Sequence, residues 1–414
     1  MAVPLIQRGG TRLAVMALGG VSLIGGLGAA LALVGIPIAD GASRLASVHG
    51  PLMVIGFVTT LIALERAVSL RKPWAFAAPA CTGLGGILLL TPVPVAAALA
   101  VQCVGLAVLV AVYSRLWDRA PSVPVGVQWL GAVLGLGAGL LWLGGVGTPA
   151  VLPWIAGYLV LTIAGERLEL SHVSSPPPSA ERWLLGLAAL LALAAPLSLV
   201  VPSGGSELVA VGLLGVAAWL FRFDVAKTLV RGTGLPRFAA ANMLAAAVWL
   251  AVAGLIWLVT GPLNGAITYD AVVHSITLGY AMSMIFGHAP IIFPAVLRRP
   301  LPYHPVFWVP SVLLHLSLVV RVSSELRAWG VAWQAAGVLG VLAIVVFALT
   351  VISRVLIAGR EAQARNEERR ARIAARAARE ETGVQDRAEV PEHAAAPDPD
   401  PSHEEQNNHE GSRA

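Results

Sequence analysis

The chain has 414 residues, 57% of them apolar and only 12% charged, and a mean hydropathy of +0.77. That composition leaves too little polar surface to face water and excludes a water-soluble domain, so the expected solvent and first partner is a lipid bilayer. A formal charge of +5 would suggest nucleic acid in a soluble protein, but here the cations lie in short gaps between apolar runs, where they set membrane topology; a nucleic-acid partner is discounted.

In chain order, membrane-spanning helices are predicted at about 13–36, 48–70, 74–91, 95–113, 125–145, 151–170, 183–201, 207–223, 238–260, 270–296, 306–322 and 330–353, the third and eighth being the shortest. Arg8 and Arg12 precede an apolar run too long for a signal h-region, so the N-terminal stretch reads as the first span. Further cations make every second loop basic: Arg71 and Lys72, Arg115 and Arg119, Arg182, the group from Arg222 to Arg237, Arg298 and Arg299, and Arg354 onward. The positive-inside rule then puts both termini in the cytoplasm of a multi-pass cell (inner) membrane protein. Residues 1–353 form the predicted bundle and 354–414 a cytoplasmic part. In that part 360–381 make a charged helix, and 389–414, with His393, His403 and His409, lack the apolar residues to build a core. Cys81 and Cys103 lie in separate spans without a metal or c-type haem motif and read as small core residues.

Three spans share one pattern. Gly56-Phe57 is followed nine residues after the glycine by Glu65, Gly157-Tyr158 at the same offset by Glu166, and Gly279-Tyr280 likewise by His288. These are the second, sixth and tenth spans, which suggests three four-helix units about a pseudo-threefold axis.

Ionisable residues inside a membrane normally face the bundle interior and find a partner. His49 and His274 begin the second and tenth spans at the same membrane level, the placement needed for two axial imidazoles on one haem iron; interfacial histidines bonded to loops are the plainer reading. Gly50, Gly56 and Gly279 would let a flat macrocycle approach the backbone. His288 lies about 21 Å from His274 along the helix at 1.5 Å per residue, so the two cannot share a metal. His288, His315 and His304 are candidates for a second metal or proton site, or are hydrogen-bonded core and loop histidines. Glu65-Arg66 and Glu166-Arg167, with Glu169 and His172, read as ion pairs near the inner interface, with proton entry through Glu65 and Glu166 as the sharper alternative. Arg321 and Arg327 flank an outer loop against the positive-inside pattern and call for an anionic partner, either Glu325 or haem propionates; Arg44 is a third candidate. Trp308, Trp329 and Trp333 read as an interfacial belt.

Twelve helices in three units, with outer histidines on the second and tenth, resemble subunit I of the haem-copper oxidases and nitric oxide reductases. In that superfamily the low-spin haem is held by a histidine on each of those helices, which implies His49 and His274 here. The segment from His274-Ser275-Ile276-Thr277-Leu278-Gly279 through Gly287-His288, followed by Pro300-Leu301, is also similar to the His-Ala-Leu-Thr-Val-Gly and Gly-His motifs of the NnrS family. Those are multi-spanning haem- and copper-containing proteins tied to nitric oxide tolerance. The chain departs from the oxidases in having no histidine in its seventh span and only His172 at the end of the sixth, so no oxidase-like copper site can be assembled, and Arg321 and Arg327 only approximate the oxidase arginine pair.

The resemblance implies a b-type haem, with copper as a second cofactor, and a role in nitric oxide or redox stress handling or in electron transfer with a redox partner. Whether the chain is an enzyme stays open, because a haem with two protein ligands shuttles electrons whereas catalysis at iron needs an open coordination position. The alternative is a haem-free transporter of a small solute or protons built on parallel repeats.

Overall fold

A computed structural model describes residues 9–36, 42–171, 176–263 and 266–388. His172, His393, His403 and His409 lie outside them, as does the segment from 389 to 414. The protein is an all-α, multi-span membrane protein, with no strand among the described residues. Among the described residues eleven helices are long and apolar enough to cross a membrane, from Gly10–Leu33 to the helix that opens at Gly330; a shorter apolar helix, Pro73–Leu89, occupies the place of the predicted third span. The eighth, expected to be short, runs the full Pro202–Phe223. Spans are numbered below by the twelve predicted positions.

Large apolar side chains stand exposed along these helices, among them Ile24, Leu193, Val200 and Val259. In water such a surface would drive association; facing lipid it needs no cover. Some polar groups inside the spans are satisfied locally, as when Thr60 donates to the Gly56 carbonyl one turn back and its hydroxyl meets that of Thr82 at 2.8 Å. The chain divides at Gly359, and the unit beyond it opens with an exposed, charged helical run that carries an Arg365–Glu361 pair.

The three marked helices are the innermost. Burial reaches 78% in the sixth span (Thr148–Ser171), 67% in the tenth (Thr268–Val296) and 61% in the second (His49–Leu70), higher than in any other span. Repeat tyrosines tie them together. Tyr158 donates to the Thr59 hydroxyl of the second span at 2.8 Å, and Tyr280 reaches the Val160 carbonyl of the sixth at 3.4 Å. At the same repeat position the second span carries Phe57, which has no hydroxyl to offer the tenth.

Within two of the marked helices the backbone leaves the α form. Leu52–Thr59 and Ser275–Met282 are π-helical, each eight residues long with the repeat glycine at its fifth position. Such stretches are usually single-turn bulges found at functional sites, so two long ones in the same register mark the second and tenth spans as a pair. The sixth span stays α-helical throughout.

Candidate functional site

Between the second and tenth spans lies a cavity of about 430 Å³ lined by both His49 and His274. The volume falls in the range of roughly 300–1,000 Å³ typical of small-molecule and cofactor sites. Its wall is largely apolar, with Leu27, Met53, Ile155 and Leu159 among the lining residues. Each imidazole is fixed by a hydrogen bond through Nδ1. His49 Nδ1 is 3.0 Å from the Gly26 carbonyl; His274 Nδ1 is 3.0 Å from the Asp270 carbonyl and 3.1 Å from the Asp270 carboxylate. Carbonyls and carboxylates only accept, so each neutral ring carries its proton on Nδ1 and has its lone pair at Nε2. This is the outer-shell arrangement that orients metal-binding histidines.

At the same end of the cavity, Arg321 donates to both carboxylate oxygens of Asp270 at 2.7 and 2.8 Å. Trp333 lies under the Arg321 guanidinium, 5.4 Å from ring centroid to Cζ, and its Nε1 donates to Asp270 at 3.2 Å and Glu325 at 3.1 Å. Arg321 therefore finds its anion in Asp270, on the tenth span, and not in Glu325; Trp333 is part of this cluster. Arg327 and Arg44 do not line the cavity. Arg327 is exposed and stacks on Trp329, while Arg44 is exposed and donates to the carbonyls of Thr91 and Val93, the latter at 2.6 Å. The anticipated role of the glycines also changes. A Cβ on Gly56 would strike Ser22 and Gly86, and one on Gly279 would strike Trp249 at 2.5 Å; both glycines serve close packing against neighbouring helices. Gly50 does line the cavity, with Trp142 beside it.

Further along the same helices a second, smaller cavity of about 90 Å³ is lined by Glu65, Glu166 and His288, the three residues that follow the repeat glycines at one offset. Val58 lines both cavities and stands between them. Glu65 pairs with Arg66, which also donates to Glu169 at 2.9 Å. No described residue hydrogen-bonds the Glu166 carboxyl. His288 is used at both nitrogens, Nδ1 donating to the Met284 carbonyl at 2.8 Å and Nε2 accepting from Arg167 at 3.0 Å. Arg167 in turn holds the buried Asp224 in a bidentate pair at 2.7 and 2.8 Å. His315 accepts from Trp249 at 3.1 Å, and its buried Nε2 has no partner among the described residues. His304 is exposed and accepts from the Val306 amide at 3.2 Å. The expected grouping of His288, His315 and His304 around one metal is therefore not formed, and no group of three or more His, Cys, Asp or Glu among the described residues is arranged to hold an ion.

A family model described as a domain of unknown function (DUF8744) matches residues 12–356, nearly the whole bundle. The chain belongs to the DUF8744 family. No curated protein matches it. Both cavities lie within the part of the chain that defines this DUF8744 member. Two acidic residues central to its sites, Asp270 and Asp224, escaped sequence reading. Asp270 had left a signal, since it sits four residues before His274, one turn away on the same helix face. Asp224 looked like part of a basic loop, and nothing local in sequence links it to Arg167.

Proposed function

We propose that the cavity between the second and tenth spans holds a b-type haem, with His49 and His274 as its two axial ligands. The observation that carries this reading is the pair of histidines on one apolar cavity, each fixed through Nδ1 so that Nε2 is left to bind iron. When bound, the haem would supply reversible one-electron chemistry. Asp270 holds His274 in its tautomer, and Arg321 and Trp333 place cationic and N–H groups beside the cavity, where haem carboxylates would need them. The apolar wall excludes water. With both axial positions taken by protein, electron transfer with a redox partner fits best, in an inner membrane with the arginine-rich end and both termini cytoplasmic. The likeness to NnrS and the haem-copper superfamily supports a role in nitric oxide or redox stress handling.

A second reading is favoured by the inner cavity: Glu65, Glu166 and His288 converge from three repeats, as a haem-free carrier of protons or a small solute would require. Reduced-minus-oxidised and pyridine-haemochrome spectra of the detergent-purified chain decide between them. A b-type signal lost in both His49→Ala and His274→Ala supports the haem reading. A colourless wild-type protein expressed with ample haem sinks it and leaves transport.

A further inference from the structure

At the ends of the second and tenth spans opposite His49 and His274, five arginines close around one basin of about 780 Å³. Arg12 comes from the first span, Arg66 and Arg71 from the end of the second, Arg119 from the end of the fourth and Arg298 from just beyond the tenth. Among the described residues Glu169 is the one carboxylate on its wall. That carboxylate is already committed, accepting from Arg66 at 2.9 Å and from Gln128 at 3.0 Å. No described carboxylate lies within ion-pair distance of Arg12, Arg71, Arg119 or Arg298. Arg12 is only 6% exposed; it spends Nη1 on the Val296 carbonyl at 3.0 Å, and its buried Nε has no partner among the described residues.

Membrane topology explains cations at this end of the bundle, but it does not require them to share a wall. Cations that serve topology alone can splay into water and avoid one another; gathering them raises their mutual repulsion unless an anion sits among them. Every cation on the wall is an arginine, whose planar fork matches the oxygens of a phosphate. Ser69 and Ser122 add hydroxyls to the same wall.

The backbone adds an independent observation. Arg71 (φ 58°) and Arg298 (φ 55°) are two of the three non-glycine residues with positive φ among those described. Each closes its helix in the left-handed conformation, Arg71 N–H bonding the Ala67 carbonyl at 3.1 Å and Arg298 N–H the Pro294 carbonyl at 3.0 Å. Glycine performs that closure without a Cβ penalty. Arginine at both places, on the rim of one basin, points to the guanidinium as the part that is needed.

We propose that this basin binds a phosphate-type oxyanion, borne by an anionic phospholipid headgroup or free in the aqueous phase. Basic pockets between spans at an interface take anionic headgroups in this way. The site is independent of the haem.

The test follows thermal unfolding of the full chain in neutral detergent, at fixed ionic strength, against dioctanoyl phosphatidylglycerol, dioctanoyl phosphatidylcholine and inorganic phosphate. A saturable rise in Tm with phosphatidylglycerol and not with phosphatidylcholine is expected. A matching rise with phosphate identifies a site open to free oxyanions, and a rise with the lipid alone identifies a headgroup site; either supports the proposal. The Arg71→Gly/Arg298→Gly variant relieves the backbone at both closures and so keeps the fold, and it should weaken the response about tenfold or more. Native mass spectrometry of the same samples counts retained phosphatidylglycerol without relying on stability. No response to either anion, equal responses to the two lipids, or wild-type binding in the double variant would overturn the proposal.

Discussion

Asp270 and His274 stand four residues apart on one helix, with the Asp270 carboxylate 3.1 Å from His274 Nδ1. The same carboxylate takes both prongs of the Arg321 fork. One acid thus fixes an imidazole and a guanidinium on the wall of a single cavity.

Asp270→Asn keeps the shape of that acid and removes its charge. Loss of an outer-shell carboxylate typically weakens metal binding about 10–100-fold, so under the proposed haem reading the cofactor should leave the variant for a soluble acceptor correspondingly faster than it leaves the wild type. On the same reading the reduction potential should rise, because a negative charge that favours the ferric state is gone. A potential and loss rate equal to wild type would show that Asp270 serves only Arg321.

The pair Arg167–Asp224 is almost fully enclosed, with side chains 5% and 4% exposed. Removing one partner strands a charge, and Asp224→Asn or Arg167→Gln is expected to destabilise the protein by about 3–5 kcal/mol. Replacing both by apolar residues of similar volume should cost far less, because no charge is then left behind. Thermal unfolding of the two single variants and the double variant gives the comparison. Arg167→Gln also removes the donor to His288 Nε2, so its effect should exceed that of Asp224→Asn.

The all-α multi-span architecture was legible in the sequence because it depends on run length, which is local. The glycine-based offset marked Glu65, Glu166 and His288 as equivalent positions, and the fold brings all three to one cavity. The pairing of charges was not legible. Arg167 and Asp224, or Arg321 and Asp270, are joined by a fold that brings distant segments together, and the sequence offers no local trace of either pairing. The π-helical segments were equally hidden, since a run that is apolar on every side has no periodicity to betray a change of helical pitch. The glycines misled for a related reason: spacing reveals where a small residue lies but not whether a cofactor or another helix occupies the space beside it.

Gly279 tests that last point. A methyl group there would meet Trp249 Cβ at 2.5 Å, and Trp249 in turn donates to His315. Gly279→Ala should therefore destabilise by about 1–3 kcal/mol through overpacking. Gly28 is a suitable contrast, because it lies within the first span with nothing inside 4 Å of a built Cβ. Gly28→Ala is expected to be neutral or to stabilise by about 0.5–1 kcal/mol through helix propensity. Similar losses at the two positions would mean that close helix packing is not what Gly279 provides.

Glu65 and Glu166 occupy the same repeat position and line the same cavity, yet their surroundings differ. Glu65 holds Arg66, whose side chain is only 7% exposed, and Glu65→Gln should cost about 1.5–3 kcal/mol as a charged hydrogen bond is lost. Glu166 has no hydrogen-bond partner among the described residues, so Glu166→Gln strands nothing and should leave Tm unchanged or raised. A carboxyl with no hydrogen-bond partner among the described residues, facing a cavity inside a membrane, is the candidate for the proton-carrying reading. Among the described residues Val58 lines both the Glu166 cavity and the His49–His274 cavity. If both proposed readings hold, proton uptake on reduction, followed with a pH indicator in weakly buffered detergent solution, should fall in Glu166→Gln with the fold intact. A variant that loses stability as much as Glu65→Gln, or that takes up protons as the wild type does, would make Glu166 a structural residue.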